Sequence, residues 1–172
     1  MERGFDASVG THVVGKLTAD MKRVVMEQRL AFVATVCPDG TPNLSPKGTI
    51  AVWDDDHLVF ADIRSPGTIA NINKNPAVEV NVVDPFVRKG YRFKGVGEVI
   101  VDGALFEEIM RFYRRRWVDR ARSKAEPSIR GFVLIKVETA LPLISPAYDD
   151  ASSDEQSIRK HWLSYFAALH ER

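Results

Sequence analysis

The feature that most limits how this chain can fold is a series of short runs with period-two patterning, separated by turn signals. In AVEVNVV from Ala77, Val78, Val80 and Val82 alternate with Glu79 and Asn81, so one face is buried and the other meets something polar. LAFVATV from Leu30 passes through PDGT, around Asp39 and Gly40, into a mixed run that reaches Trp53, which reads as a hairpin. Its second strand, Asn43 to Trp53, is interrupted by Pro46 and Gly48, as at a bulge or an edge where another group approaches the backbone. A turn at Asp54 to Asp56 precedes LVFAD, the third strand. After the DPF turn, the next strand is expected to place Tyr91, Phe93, Val99 and Val101 on one face. Arg92, Lys94, Glu98 and Ile100 then fall on the other, and Gly95 and Gly97 leave room for close packing. GFVLIKVE from Gly131 is the last clear strand.

Helices are expected between and after these strands. Leu17 to Arg29 carries Met21, Val24 and Val25 at helical spacing, with Thr18 as N-cap and Asp20 in the first turn. Ser65 to Asn75 is a short helix with Ser65 as cap and Pro66 at its first position, and Pro76 prevents continuation. From Ala104 a longer helix aligns Leu105, Ile109, Phe112, Tyr113 and Trp117, leaving Arg111, Arg114, Arg115 and Arg120 on a solvated face. Ser153 and Gln156 form a capping box ahead of Ile158, Trp162, Phe166 and Leu169 in a final amphipathic helix. Six or so antiparallel strands joined by hairpin signals, with peripheral helices, define a mainly β or α+β barrel rather than a doubly wound sheet.

At 172 residues, residues 1–172 are expected to form a single domain. A net charge of +1 gives no basic surplus for nucleic acid, and no apolar stretch approaches the length of a membrane span. The start MERGFDASVG lacks the pattern of a secretory signal, and a cytoplasmic location is expected. One cysteine, Cys37, excludes an internal disulfide and reads as a small buried hydrophobe. His12, His57, His161 and His170 are scattered, so no metal site is expected. No P-loop, dinucleotide glycine fingerprint or nucleophile elbow occurs, and no catalytic residue can be assigned.

What remains is the run from Ser45 to Thr68. In RSPGT, Thr68 stands where a capping box would place Glu or Gln, so the backbone N–H groups at this helix start are free to meet an outside anion. Ser65, Gly67, Thr68 and nearby Arg64 read either as a phosphate cradle or as an ordinary surface helix start. Lys47 and Arg92 lie on strands with apolar opposite faces, so each either projects into a polar cleft or is a solvated charge.

CPDGTPNLSPKGTIAVWDDDHLVFADIRSPGTIANINKNPAVEVNVVDPF, followed by RKGYRFKGVGEV, resembles the FMN-binding split-barrel proteins of the pyridoxamine 5′-phosphate oxidase-like family, closely from about Leu17 to Val101. ALPLISPAYD resembles the tail of a bacterial subgroup of that family. The resemblance implies a split β-barrel and a homodimer with FMN between subunits. It implies that Ser45, Pro46, Lys47 and Gly48 run along the flavin ring and ribityl chain, and that Ala61 and Asp62 contact the flavin. Thr68 matches a phosphate-binding basic residue, here replaced by a hydroxyl; Ser65 belongs to the same helix start. Arg92 matches a polar position that reaches FMN, and its charge is expected to compensate for the one missing at Thr68. Vitamin-oxidising members carry an Arg-x-His element; Arg159-x-His161 has that spelling but sits within the last helix and is read as part of it.

These implications favour an FMN-dependent oxidoreductase acting on a small substrate, with NAD(P)H as a candidate electron donor and Lys47 tuning the flavin. The alternatives are a non-catalytic flavin or haem carrier or sensor, and a protein holding a deazaflavin in place of FMN. A nucleic-acid module built on the arginine-rich helix is a further reading, and would show salt-sensitive binding.

Overall fold

The computed structural model describes residues 15–118 and 128–170, with the side chains of residues 117 and 118 excluded. Seven strands form one antiparallel sheet: β1 (Ala31–Val36), β2 (Pro42–Lys47), β3 (Ala51–Val52), β4 (His57–Asp62), β5 (Ala77–Asp84), β6 (Lys89–Ile100) and β7 (Gly131–Ile144). Their order is β2-β1-β5-β6-β7-β4-β3. The helices are α1 (Ala19–Gln28), α2 (Pro66–Lys74), α3 (Gly103–Val118) and α4 (Glu155–His170). No described helix is long and apolar enough to cross a membrane.

The expected single strand from Asn43 to Trp53 is two strands. β2 pairs with β1, whereas β3 pairs with β4 at the opposite edge of the sheet. Only residues 48–50 join them. Four residue steps reach at most about 14 Å, while the edges of a flat seven-stranded sheet lie roughly 29 Å apart. The sheet must therefore curl until its edges approach, and the short link closes the half-barrel. Pro46, which has no N–H, sits on the edge strand β2, as its sequence context implied.

Val33, Val80, Val82, Phe93 and Val133 point into the barrel and form its core with Leu58, Phe60 and Val25 of α1. A second cluster lies on the other side of β4, where Ala51, Val59 and Ala61 meet Ile109 and Tyr113 of α3. β6 serves both cores at its end. Ile100, expected to face away from the apolar side, is buried against α3, while Val101 lies beyond the strand and is exposed. Ile100 keeps the face opposite Phe93 and Val99 that alternation gives it, and is buried because α3 covers that face at the end of the strand. A Cβ at Gly95 would stand 1.9 Å from the Lys136 carbonyl oxygen, so this glycine admits the neighbouring backbone.

The Thr18 side chain caps α1, accepting from the Met21 N–H. For α4 the capping pair is not Ser153 and Gln156 but Asp154 and Ser157. The Ser157 N–H donates to Asp154 Oδ1 at 2.7 Å, and the Asp154 N–H donates back to Ser157 Oγ. Ser153 and Gln156 match the sequence signature and Asp154 matches only its cap position, yet the reciprocal bonds form at Asp154 and Ser157. The α3 stripe is as expected through Leu105, Ile109, Phe112 and Tyr113, with Arg111, Arg114 and Arg115 exposed; Trp117 and Arg120 fall outside the described side chains. Cys37 is only half-buried, and its sulfur accepts an N–H from the Asn71 amide.

Candidate functional site

Three chain segments meet at the rim of the barrel: the end of β2, the end of β4 and the start of α2. Lys47 pairs with Ala31, whose side chain is in the core, so strand alternation turns Lys47 toward the barrel interior. The ammonium donates to Ser45 Oγ and, at 3.4 Å, to Thr68 Oγ1 on α2, and lies 5.4 Å from the centre of the Phe60 ring. Lys47 is 4% exposed and Thr68 3% exposed, so this is a desolvated cation. Burial pushes the Lys47 ammonium below the usual lysine range, and the Asp62 carboxylate counters only part of that effect.

Asp62 closes β4 and is itself buried. Its Oδ1 accepts the Ser65 N–H at 3.0 Å and Arg130 Nη2 at 3.4 Å, while the Arg130 N–H donates to the Asp62 carbonyl. Asp62 thus sets the entry of α2 and tethers a cation beside it. Ser65 occupies the N-cap position but makes no side-chain cap bond, Pro66 has no N–H, and the first turn holds no acidic residue. The first-turn N–H groups of α2 therefore lack the usual side-chain acceptor, and the helix dipole favours negative charge there. A Cβ built at Gly48 or Gly67 would meet nothing within 4 Å, so the backbone borders open space on both sides of the group.

Ser45, Lys47, Asp62, Ser65 and Thr68 are thereby brought together, with Pro46, Gly48 and Ala61 in the adjoining backbone. Arg92 is not part of this group. It pairs with Asn81 on β5, next to core-facing Phe93, and so points to the outer face of the sheet, opposite to Lys47. Its charged neighbour is Glu79 at 3.7 Å. The expected compensation of Thr68 by Arg92 does not occur within one chain, because β6 turns that side chain outward. Lys47 is the cation beside Thr68.

The outer face has its own character. Pro46, Phe32, Asn81, Arg92 and Leu141 form one lateral row across β2, β1, β5, β6 and β7. Phe32 is 47% exposed, Leu141 42%, and neighbouring Leu44 on the same face 65%. Asn81 Oδ1 and Arg92 Nε are shielded from solvent yet have no hydrogen-bond partner. Leaving the Asn81 oxygen unpaired costs about 1–3 kcal/mol, whereas Arg92 Nε has the Glu79 carboxylate 3.7 Å away.

Sequence reasoning missed Arg130, Thr49 and Tyr113. Arg130 reaches Asp62 from the start of β7 across 68 positions, and Tyr113 reaches Thr49 across 64. No local pattern reports such contacts. Among the described residues, no group of three or more His, Cys, Asp or Glu side chains could hold a metal ion.

A family model described as pyridoxamine 5′-phosphate oxidase matches residues 17–141. An uncharacterised protein of Methanocaldococcus jannaschii is 30% identical over 126 residues, covering 72% of this chain and 78% of the relative. The crystal structure of HupZ from Group A Streptococcus superimposes with a TM-score of 0.62 at 31% identity, covering 74% of this chain and 94% of that one. An FMN-binding protein from Syntrophomonas wolfei shares the fold at 17% identity and a TM-score of 0.57, covering 71% of this chain and 82% of that one.

Proposed function

This chain belongs to the pyridoxamine 5′-phosphate oxidase family, and we propose that it is an FMN-binding flavoprotein that works as an FMN-dependent oxidoreductase on a small substrate. The observation that carries the reading is the buried Lys47 ammonium beside Thr68, at a helix start whose N–H groups lack a side-chain cap. A cation inside a protein is costly unless a partner or ligand offsets its desolvation. The local donor set suits a phosphorylated, electron-rich ligand.

When bound, FMN supplies a two-electron centre that exchanges hydride with the substrate or with reduced nicotinamide. The chain's own residues hold and orient it. The α2 N-terminus and the Thr68 hydroxyl would receive the phosphate, with Arg130 as the nearby exposed cation. Lys47 would supply positive charge to the bound cofactor, and Ser45 and Thr68 accept from that ammonium and fix its direction. Open space at Gly48 and Gly67 admits the cofactor against the backbone.

The working form in this reading is a homodimer with FMN at the subunit interface. The exposed apolar side chains of Phe32, Leu44 and Leu141, with the unpartnered Asn81 oxygen, support a second copy covering the outer face. Arg92 would then serve the neighbouring subunit's cofactor rather than its own.

The test is an absorbance spectrum of purified protein before and after FMN addition, followed by NADH and NADPH. Flavin bands that bleach on reduction are expected. Failure to bind FMN, with haem or a deazaflavin bound instead, would overturn the cofactor assignment; FMN that binds but is never reduced would leave a carrier or sensor.

A further inference from the structure

We propose that Thr49 and Tyr113 are positioning residues for Lys47, holding the turn at residues 48–50 and through it the end of β2 that carries the ammonium. The proposal rests on the cofactor reading above and extends it to two residues behind the ligand-facing surface.

The turn is where this sheet is least supported by its own ladder. β2 ends at Lys47 and β3 begins at Ala51, on opposite edges, so residues 48–50 have no strand partner. Thr49 replaces the missing ladder with its side chain. Its hydroxyl accepts the Ala61 N–H at 3.0 Å and reaches the Ala61 carbonyl at 3.4 Å, pinning the turn to β4 one residue before Asp62. The Thr49 carbonyl accepts the Tyr113 hydroxyl at 2.6 Å. Tyr113 is a firm anchor, being 2% exposed and stacked on Phe132 with ring centres 5.3 Å apart.

The network therefore ties α3 to the turn, and the turn to the strand that ends in Asp62. Lys47 and Asp62 are the two charges facing the barrel rim from β2 and β4, and both are one or two residues from a Thr49 or Ala61 contact. Losing the Thr49 hydroxyl frees the β2 end while leaving every atom of the Lys47 group chemically intact. A tyrosine that merely satisfies its hydroxyl in the core would affect stability alone; a positioning residue changes what Lys47 does.

A double-mutant cycle separates these cases. FMN affinity is measured calorimetrically for Thr49→Val, Thr49→Ser, Tyr113→Phe, Lys47→Met and Thr49→Val with Lys47→Met. Thr49→Val and Tyr113→Phe are expected to raise Kd about tenfold, Thr49→Ser to stay within about twofold, and Thr49→Val to add nothing once Lys47 is gone. Additive effects, or unchanged affinity in Thr49→Val, would overturn the proposal. In parallel, the Lys47 side chain is titrated by NMR without FMN. In Thr49→Val its titration should move back toward the ordinary lysine range, and an unmoved titration would also overturn the proposal. If wild type binds no FMN, the cofactor reading fails while the NMR titration still decides the positioning role. If Tyr113→Phe does not fold, the Thr49 pair decides it.

Discussion

The Lys47 ammonium stands 3.4 Å from the Thr68 hydroxyl, joining the end of β2 to the first turn of α2 inside the barrel rim. The resemblance implies a basic residue where Thr68 stands, and here a cation from another strand occupies that neighbourhood. Thr68→Glu would set a carboxylate beside Lys47 and at the helix start, neutralising the first and repelling a phosphate from the second. FMN affinity is expected to fall at least about tenfold, or roughly 1.4 kcal/mol. Calorimetric titration of the variant checks this; unchanged affinity removes Thr68 from the site.

Lys47→Met should separate binding from stability. The charged lysine is destabilising where it is, because burial holds its pKa below the usual value. With the folded pKa below the unfolded one, the unfolded chain binds more protons between them, so wild-type stability rises with pH across that window. Below the folded pKa the cost of the buried charge is present in full. Lys47→Met is therefore expected to match or exceed wild type in denaturant melts at neutral pH, with the gap closing as pH approaches about 10.4. FMN affinity should fall at the same time.

Arg130 offers a milder test. Its guanidinium is half-exposed and reaches Asp62 at 3.4 Å, so the pair itself contributes little to stability. Arg130→Ala should leave the melting transition nearly unchanged while weakening FMN binding several-fold. The salt dependence of binding should flatten in the variant, since one cation near the phosphate is gone. An equal salt slope in both proteins would exclude Arg130 from the site.

How far the sequence reached differs between elements for physical reasons. The Thr18 cap and the Pro66 helix start were legible because they depend on residues within one turn. The division of residues 43–53 into two strands was not, since it is decided by partners at opposite sheet edges. Alternation placed Arg92 opposite Phe93 correctly, but could not say that Lys47 faces inward and Arg92 outward. That depends on pairing with Ala31 and Asn81. Alternation also put Ile100 on the face opposite Val99, but could not say that α3 covers that face and buries it.

Away from the Lys47 group, Tyr91 of β6 donates to Asp20 of α1 at 2.5 Å. This bond, and then Arg23, hold the Asp20 carboxyl below the usual carboxylate range. A depressed carboxyl contributes stability above its unfolded pKa of about 3.9 and loses it as pH falls through the folded value. Asp20 is more than half exposed, so solvent screening limits the contribution. Tyr91→Phe is expected to cost about 0.5–1 kcal/mol at pH 7. The difference from wild type should shrink in denaturant melts as pH falls through the lowered folded value.

The outer face supplies the test of assembly. Phe32 and Leu44 stand on adjacent strands, both substantially exposed, beside the Asn81 side-chain oxygen, which is shielded but has no hydrogen-bond partner. A second copy would cover the apolar row and supply a partner for that oxygen. Light scattering should then give twice the 19.3 kDa chain mass. Phe32→Glu with Leu44→Glu buries charge in that interface and should raise the dimer dissociation constant at least about 100-fold. Because both side chains point away from the barrel core, the variant's circular dichroism should remain that of the folded chain. FMN affinity should fall with dimerisation if Arg92 acts across the interface, and a dimer that survives both substitutions would place its contact elsewhere.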